Sequence, residues 1–344
     1  MSGLSGTLEK LLCGIDLAED EAAGLMVALT DEDLAPALAA ALLAALRAKG
    51  ESAAEVRGFA TAMRGLARRP EIPATGPLLD IVGTGGDGSG SLNLSTGASL
   101  LAAACGIPVV KHGNRSISSR SGSADMLEAL GMRLPADELA AAACLAATGY
   151  TFLFAPYFHP AMKAIGPVRR AMGVRTVFNM LGPLTNPAAP PYLLLGAFSP
   201  AAARLMAEAL AGFAGLERGF VVHGAPGWDE ATPVGPFQLF DVRGGEVVEY
   251  QRDPGEWGLA RCTPEDLAGG DAVYNAARLR ALFAGEDTDA HRDAVLLGTA
   301  LALELTGLAG GPAAAMEMAR AALLDGRAAA LLASLESHAA ETPA

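Results

Sequence analysis

One stretch, residues 78–125, constrains the fold of this chain more than any other. A short apolar run at 78–82 is followed by five glycines among the eight residues 83–90. An apolar segment long enough for a helix (97–105) and a second β-branched run (107–110) come next. This order of strand, glycine loop, helix and strand is typical of parallel sheets, in which loops at the strand C-terminal ends bind ligands.

The glycine loop suits a ligand with phosphates, because glycines let backbone N–H groups approach closely and a helix N-terminus favours anions. Asn93, Ser95 and Thr96 stand where that helix begins, so their hydroxyls and amides can hold phosphate oxygens. The carboxylate of Asp87 is unexpected in a loop that binds only an anion. We interpret it as a group that contacts a sugar hydroxyl or an amine of the ligand. The loop matches neither the nucleotide P-loop nor the dinucleotide fingerprint. A glycine turn alone is often only a tight connection, so this interpretation depends on the neighbouring polar residues.

The polar segment 111–123 follows the second predicted strand and is dense in hydrogen-bond donors. Charged clusters are usually solvated faces, but such faces seldom carry this many serines with an asparagine. An anionic ligand explains the composition better. The candidate ligand-binding residues in this segment are Lys111, His112, Gly113, Asn114, Arg115, Ser116, Ser118, Ser119 and Ser123.

Two adjacent carboxylates, Asp229 and Glu230, follow a predicted strand at 219–223. Such pairs are most often solvated, but behind Gly224 and Gly227 at a strand end they predict a Mg²⁺ site, with Ser95 as a hydroxyl ligand. Arg169 lies on a predicted helix at 161–172 and suits two-pronged binding of a planar carboxylate, although alone it would be read as a surface arginine.

Covalent catalysis has no support in the sequence. No G-x-S-x-G, no H-E-x-x-H and no cysteine nucleophile pattern occurs, and none of His112, His159 and His223 has a visible acid partner. We therefore expect positioning and electrostatics, with no catalytic side chain.

Composition narrows the class of partner. Acidic residues outnumber basic ones 38 to 25, for a net charge of −13, which argues against nucleic acid and anionic membranes. The four cysteines are scattered without a C-x-x-C pair, no apolar run is long enough to span a bilayer, and no signal core is visible. We expect a cytoplasmic protein that binds small molecules.

The 344 residues predict two unequal lobes. Residues 1–72 read as an all-helical lobe, with a capping box at Ser52 and Glu55, and part of 160–190 is expected to join it. Residues 73–344 predict a larger α/β lobe with a mainly parallel central sheet. Within it we expect a hairpin of 238–242 with 246–251, and final helices at 293–308, 312–324 and 326–334.

The motifs together resemble the anthranilate phosphoribosyltransferases, which belong to the nucleoside phosphorylase-like transferases. The resemblance covers nearly the whole chain and is carried by GTGGD (83–87), NLST (93–96), KHGNRSISS (111–119), GSAD (122–125), HPAMK (159–163), GPVRRAMGVRT (166–176), NMLGPLTNP (179–187) and DE (229–230). As an ordered set these motifs are highly specific.

The resemblance implies a helical lobe, a larger α/β lobe, a homodimer and Mg²⁺-dependent transfer from 5-phosphoribosyl 1-diphosphate to anthranilate in tryptophan biosynthesis. Ser95, Asp229 and Glu230 would bind Mg²⁺, and Asn114 and Arg169 would hold anthranilate, with Gly83 near its ring. The residues it assigns to the donor are Gly83, Gly86, Asp87, Ser91, Asn93, Ser95, Thr96, Lys111 and Ser119.

Trp228 and Phe237 depart from the usual pattern and are expected to reshape the acceptor side. The same reaction with another aromatic amine as the acceptor is therefore an alternative function. A pyrimidine nucleoside phosphorylase shares the fold and a similar K-H-x-N-R loop, but it needs no acidic pair. A non-catalytic nucleic-acid-binding relative is disfavoured by the net charge.

Overall fold

The computed structural model describes residues 2–72, 76–116 and 120–341. Ser118 and Ser119, two of the predicted donor-binding residues, lie outside the described residues. No helix in the described ranges is both long and apolar enough to span a bilayer.

The chain begins with a bundle of four helices. The fourth starts at the predicted capping box, because the Ser52 hydroxyl accepts from Glu55 N at 3.3 Å and the Glu55 carboxylate accepts from Ser52 N at 2.8 Å. Leu-rich faces at helical spacing bury the interior of the bundle. The helices are α1 (Ser2–Leu12), α2 (Glu19–Leu29), α3 (Pro36–Lys49) and α4 (Ala53–Leu66).

A seven-stranded sheet forms the centre of the larger lobe, in the order β3-β2-β1-β4-β5-β6-β7. The first five strands pair in parallel, and β6 and β7 add the predicted antiparallel hairpin at one edge. The prediction of a mainly parallel sheet is confirmed. The strands are β1 (Leu79–Gly83), β2 (Val109–Gly113), β3 (Tyr150–Phe154), β4 (Tyr192–Gly196), β5 (Arg218–His223), β6 (Phe237–Arg243) and β7 (Glu246–Arg252).

Helices cover the sheet, and three short 3₁₀ turns lie at Gly182–Leu184, Pro254–Trp257 and Pro264–Leu267. The helices are α5 (Leu94–Ala104), α6 (Ser123–Ala129), α7 (Glu138–Thr148), α8 (Ala155–Phe158), α9 (Met162–Met172), α10 (Phe178–Leu181), α11 (Pro200–Ala211), α12 (Ala272–Phe283), α13 (Asp289–Leu305), α14 (Pro312–Leu324) and α15 (Arg327–Glu341).

One apolar cluster joins the helical bundle to the middle of the chain. Phe59 of α4, Ile165 of α9, Met180 of α10 and Leu195 of β4 belong to it. Residues of α9 and α10 thus pack with the bundle. The exact division at residue 72 stays a prediction.

Three expectations about elements need correction. Strand β2 runs to Gly113, because it pairs with β3 over its full length, so Lys111, His112 and Gly113 are strand residues and not loop residues. Helix α12 was not predicted, although Asp271 caps it by accepting from Tyr274 N at 2.8 Å. Helix α13 begins at Asp289, where Thr288 caps it, and α15 ends at Glu341, so both extend beyond the predicted bounds.

Candidate active site

Three neighbouring parallel strands end at one edge of the sheet and carry the loops that form the site. Strand β1 ends at Gly83, β4 at Gly196 and β5 at His223, with Gly83 in register with Gly196. The loop after β5 brings Asp229 against both glycines. A Cβ at Gly83 would overlap the Asp229 carboxylate, and a Cβ at Gly196 would overlap the Asp229 carbonyl. The close approach therefore requires glycine.

The Asp229 carboxylate anchors the glycine loop. Its Oδ2 accepts from Gly85 N at 2.6 Å and lies 3.4 Å from the Thr84 hydroxyl. Asp229 N in turn donates to Asp87 Oδ2 at 3.3 Å, and Asp87 Oδ1 accepts from the backbone and hydroxyl of Ser89. In this structure Asp87 organises its own loop, and its predicted contact with a sugar or an amine stays a prediction.

The Glu230 carboxylate lies at the N-terminus of α5. Its Oε1 accepts from Ser95 N at 2.8 Å, an arrangement that the positive end of the helix dipole stabilises. The predicted place of Ser95 at a helix start is confirmed, and its contact with phosphate oxygens stays a prediction. In this structure the anion that meets the amide is Glu230.

Burial raises the pKa of both carboxylates, and each has a further acidic neighbour. The charge of Asp87 adds to the rise at Asp229, and the charge of Asp229 adds to the rise at Glu230. Two buried carboxylates that repel one another attract a cation or retain a proton. The site is therefore electrostatically prepared for a cation.

Lys111 supplies a positive charge below this pair. It is 2% exposed, its Nζ donates to the Ile81 carbonyl, and burial lowers its pKa while Asp80, Glu230 and Asp229 oppose that effect. The predicted contact of Lys111 with the donor stays a prediction. What the structure adds is that its buried ammonium donates to a backbone carbonyl and is influenced by the charges of three carboxylates.

Two buried polar residues beneath the site were missed from the sequence. Asp80 accepts from Asn186 Nδ2 at 2.8 Å and from His112 N at 3.3 Å, and burial raises its pKa to about 6. Asn186 also donates to the Val110 carbonyl at 2.9 Å. A charged residue in the apolar run LLDIVG was the available signal, because a buried carboxylate needs partners.

The residues present fit a magnesium ion shared with a ligand. In the described part of the chain, no three His, Cys, Asp or Glu side chains are arranged to hold a metal alone. Asp229 and Glu230, with the Ser95 hydroxyl, offer oxygen ligands, and Mg²⁺ commonly takes one or two carboxylates with waters and substrate phosphates. A site of this composition would bind Mg²⁺ together with a phosphate ligand.

The beginning of α5 is fixed by a polar cluster. Asn93 Nδ2 donates to the Ser121 carbonyl at 3.1 Å, and Asn93 Oδ1 accepts from the Ser121 hydroxyl and from Asn275 Nδ2 at 2.8 Å. Thr96 is buried inside the helix, and the Ser91 hydroxyl lies 3.2 Å from that of Ser89. Asn275 was missed because it lies on the unpredicted helix α12.

The predicted ligand-binding residues after β2 contact carboxylates of α6 and one another in this structure. Arg115 pairs with Asp125 at 2.9 Å and with Glu128 at 2.6 Å, while its backbone N–H donates to Asn114 Oδ1. Ser116 N donates to Asp125 Oδ2, and the Ser123 hydroxyl donates to the Asn114 carbonyl. Ligand contacts by Gly113, Asn114, Arg115, Ser116 and Ser123 stay predictions.

Arg169 lies half-buried on α9 with its guanidinium 4.8 Å from the centre of the Phe178 ring. Burial lowers its pKa, and among the described residues no carboxylate pairs with it. A desolvated guanidinium without an acidic partner is suited to a ligand carboxylate.

Two buried histidines lie together at the end of β2 and after α8. The rings of His112 and His159 are 5.0 Å apart, and each Nε2 lacks a hydrogen-bond partner in the described ranges. His112 Nδ1 lies 3.2 Å from the Gly182 carbonyl. Burial lowers the pKa of His112 to about 3 and that of His159 to about 4, so both rings are neutral at pH 7.

Trp228 and Phe237 do not reshape an acceptor side as expected. Both side chains are buried in the core of the α/β lobe, and the Phe237 ring stacks on Trp257 at 5.9 Å. Their size fills the core because β6 and the loop before it pack inward there.

Comparison with known proteins explains this arrangement. Two domain families match, described as the glycosyl transferase family helical bundle domain over residues 6–67 and the glycosyl transferase family a/b domain over residues 75–329. Anthranilate phosphoribosyltransferase from Chloroflexus aggregans is 46% identical over 314 residues, covering 91% of this chain and 92% of that protein. The chain belongs to the anthranilate phosphoribosyltransferase family.

Solved structures of family members share the whole fold. The anthranilate phosphoribosyltransferase from Thermus thermophilus superimposes with a TM-score of 0.90 at 44% identity, covering 97% of this chain and 99% of that one. The Saccharomyces cerevisiae enzyme, determined in complex with PRPP and Mg, superimposes with a TM-score of 0.89 at 25% identity, covering 99% of each chain. Fold class and family were therefore correctly predicted.

Proposed function

We propose that the chain transfers the phosphoribosyl group of 5-phosphoribosyl 1-diphosphate to anthranilate, giving N-(5-phosphoribosyl)anthranilate and pyrophosphate in tryptophan biosynthesis. The observation that carries the proposal is the buried carboxylate pair held against a glycine loop. Asp229 accepts from Gly85 N at 2.6 Å and Glu230 accepts from Ser95 N at 2.8 Å. Relatives named for this activity match over nine-tenths of the chain.

The donor lies over the glycine loop and the start of α5. There Gly83, Gly86 and Asp87 face the ribose and diphosphate, while the segment after β2 receives the phosphate groups. Asp229, Glu230 and the Ser95 hydroxyl would hold Mg²⁺ beside the donor. The yeast relative determined in complex with PRPP and Mg supports the use of this metal. When bound, Mg²⁺ neutralises charge on the departing diphosphate.

The acceptor lies on the other side of the ribose. Arg169 binds the anthranilate carboxylate through its planar guanidinium, Asn114 adds a hydrogen bond, and Gly83 lies near the ring. A yeast relative of the same fold was determined in complex with 4-fluoroanthranilate.

The reaction exchanges one bond at the ribose C1. The C1–O bond to diphosphate breaks, and its electron pair leaves with the diphosphate. The lone pair of the anthranilate amine then forms the N–C1 bond, and the amine proton passes to solvent. An aromatic amine is neutral at pH 7, so the chain's main tasks are orienting the two substrates and stabilising an oxocarbenium-like transition state.

The test is product formation from both substrates with Mg²⁺. We expect N-(5-phosphoribosyl)anthranilate and pyrophosphate in equal amounts, and no product after chelation of the metal. Absence of product would overturn the proposal, and metal-independent phosphorolysis of thymidine would replace it with the phosphorylase alternative. A panel of other aminobenzoates in the same assay tests whether anthranilate is the preferred acceptor.

The helical bundle further supports a homodimer. Leu12, Ile15 and Val27 of this lobe are 66%, 52% and 51% exposed. A second copy of the chain would cover them. Light scattering after gel filtration would give twice the mass of one chain, whereas a monomer would contradict this assembly. We further place the protein in the cytoplasm, in keeping with its four free cysteines.

A further inference from the structure

We propose that Arg175 is a positioning residue that holds the glycine loop, residues 84–87, in the conformation that the donor meets. This inference rests on the proposed function, because it assigns a role in binding the same donor. Arg175 lies outside the loop, three residues after the end of α9, and no role of its own was predicted for it beyond its place in the motif GPVRRAMGVRT.

The guanidinium of Arg175 makes two contacts across the site. Its Nη2 donates to the Gly86 carbonyl, and its central carbon lies 4.2 Å from the centre of the Phe198 ring. A planar guanidinium can donate in its own plane while its face stacks on an aromatic ring. Arg175 therefore connects the segment after α9 to the glycine loop and to the end of β4 at once.

Phe198 continues the connection to the loop. Its backbone N–H donates to the Thr84 hydroxyl at 3.1 Å, and Thr84 N donates to the Gly196 carbonyl at 3.0 Å. On the other side of the loop, Gly85 N donates to Asp229. The loop is thus held on one side by the Asp229 carboxylate and on the other by Arg175 and Phe198.

The loop needs such support because of its backbone. Gly85 and Gly86 have φ of +67° and +72°, so two consecutive residues occupy the left-handed region. Glycine adopts this conformation without strain, but it also adopts other backbone conformations readily. A fixed donor on the Gly86 carbonyl removes that freedom before the substrate binds, which lowers the entropic cost of binding.

Arg175 also joins the two halves of the site along the chain. It stands six residues after Arg169, the proposed acceptor residue, with the end of α9 between them. Loss of Arg175 should disturb the donor loop while leaving Arg169 on its helix, where the Phe178 ring packs against it.

The test compares Arg175→Ala and Arg175→Lys with Arg170→Ala, which removes an exposed cation from the same helix end. We expect Arg175→Ala to raise the KM for the donor about 10-fold and to change the KM for anthranilate less than about 2-fold. Arg175→Lys should restore little of this, since lysine cannot donate and stack together. Phe198→Leu should reproduce the effect, and Arg170→Ala should not.

Amide hydrogen exchange of the ligand-free protein provides a readout that does not need turnover. Exchange at Gly85, Gly86 and Asp87 should accelerate in Arg175→Ala and stay unchanged in Arg170→Ala. Unchanged exchange together with an unchanged donor KM would overturn the inference, as would an equal rise of both KM values accompanied by a lowered melting temperature. If the wild type gave no product while loop exchange still depended on Arg175, the proposed function would fail and the positioning role would stand.

Discussion

Gly85 donates its backbone N–H to Asp229 Oδ2 across 2.6 Å, and the two residues are 144 positions apart in the chain. This bond joins the loop after β1 to the loop after β5 at the edge of the sheet where parallel strands end. The carboxylate that orders the donor loop is thus the same group that we assign to the metal. Donor binding and metal binding should consequently depend on each other.

Gly83→Ala should disable the enzyme without unfolding it. The new Cβ would overlap the Asp229 carboxylate and displace it from the loop and the metal. We expect kcat/KM to fall about 10²-fold, the scale of loss for small misplacements of reacting groups. The matched control is Gly65→Ala on α4, where a Cβ meets nothing, so its activity should equal that of the wild type. Equal activity of both variants in steady-state assays would refute the prediction.

The metal requirement should depend on pH. Burial and acidic neighbours raise the pKa of Asp229 and Glu230, so these groups retain protons that Mg²⁺ must displace. Apparent Mg²⁺ affinity should therefore tighten as the pH rises from about 6 to about 8.5.

The raised pKa values of Asp229 and Glu230 also determine how the stability of the folded protein changes with pH. The folded ligand-free protein binds these protons more tightly than the unfolded chain, so this contribution to stability is lost as the pH rises through the raised pKa values. Thermal melts with and without Mg²⁺ would show stabilisation by the metal growing with pH. A pH-independent stabilisation would be inconsistent with the raised pKa values.

Arg169→Ala should weaken binding of the acceptor, anthranilate, and leave binding of the donor unchanged. Removing a charge-assisted bond to a carboxylate costs about 1.5–3 kcal/mol, which corresponds to a rise of about 10- to 150-fold in the KM for anthranilate. Arg170→Ala, at the exposed neighbouring position, is the control and should leave both KM values unchanged. If Arg169→Ala raised the donor KM instead, Arg169 would belong to the donor half of the site.

His112 and His159 should make the protein sensitive to mild acid. Burial lowers their pKa values to about 3 and about 4, below the value near 6.5 of an unfolded histidine. The unfolded chain therefore takes up protons first, and stability from these groups is lost as the pH falls below about 6.5. His159→Asn should reduce the slope of melting temperature against pH between about 6.5 and 5. An unchanged slope would show that His159 does not cause the effect.

The sequence predicted the framework of the site better than its interior. Strand β1, the start of α5 and the Asp229–Glu230 pair were predicted because glycine, apolar runs and adjacent carboxylates are local signals. Arg175 and Asn275 were missed, since their partners Gly86 and Asn93 lie 89 and 182 residues away in the chain. Contacts of that kind exist only after the fold forms.

Arg115 shows what residue spacing leaves open in that segment. Its contact with the donor stays a prediction, and in the structure it pairs with Asp125 and Glu128 at 2.9 and 2.6 Å. The two acidic residues lie on α6, whose first turn faces the segment after β2. A helix at that position was predicted, but which of its side chains turn back toward Arg115 depends on packing that spacing alone does not define.

The most direct measurement of the central claim is equilibrium binding of 5-phosphoribosyl 1-diphosphate at increasing Mg²⁺, in the wild type, Glu230→Gln and the exposed control Glu265→Gln. The glutamine at 230 keeps an oxygen for the Ser95 amide but loses the charge. We predict Mg²⁺-dependent binding in the wild type and the control, and binding at least about 10-fold weaker, with little response to Mg²⁺, in Glu230→Gln. The account would be contradicted if the affinity of the wild type for the donor did not depend on Mg²⁺. It would also be contradicted if Glu230→Gln bound the donor as tightly as the control.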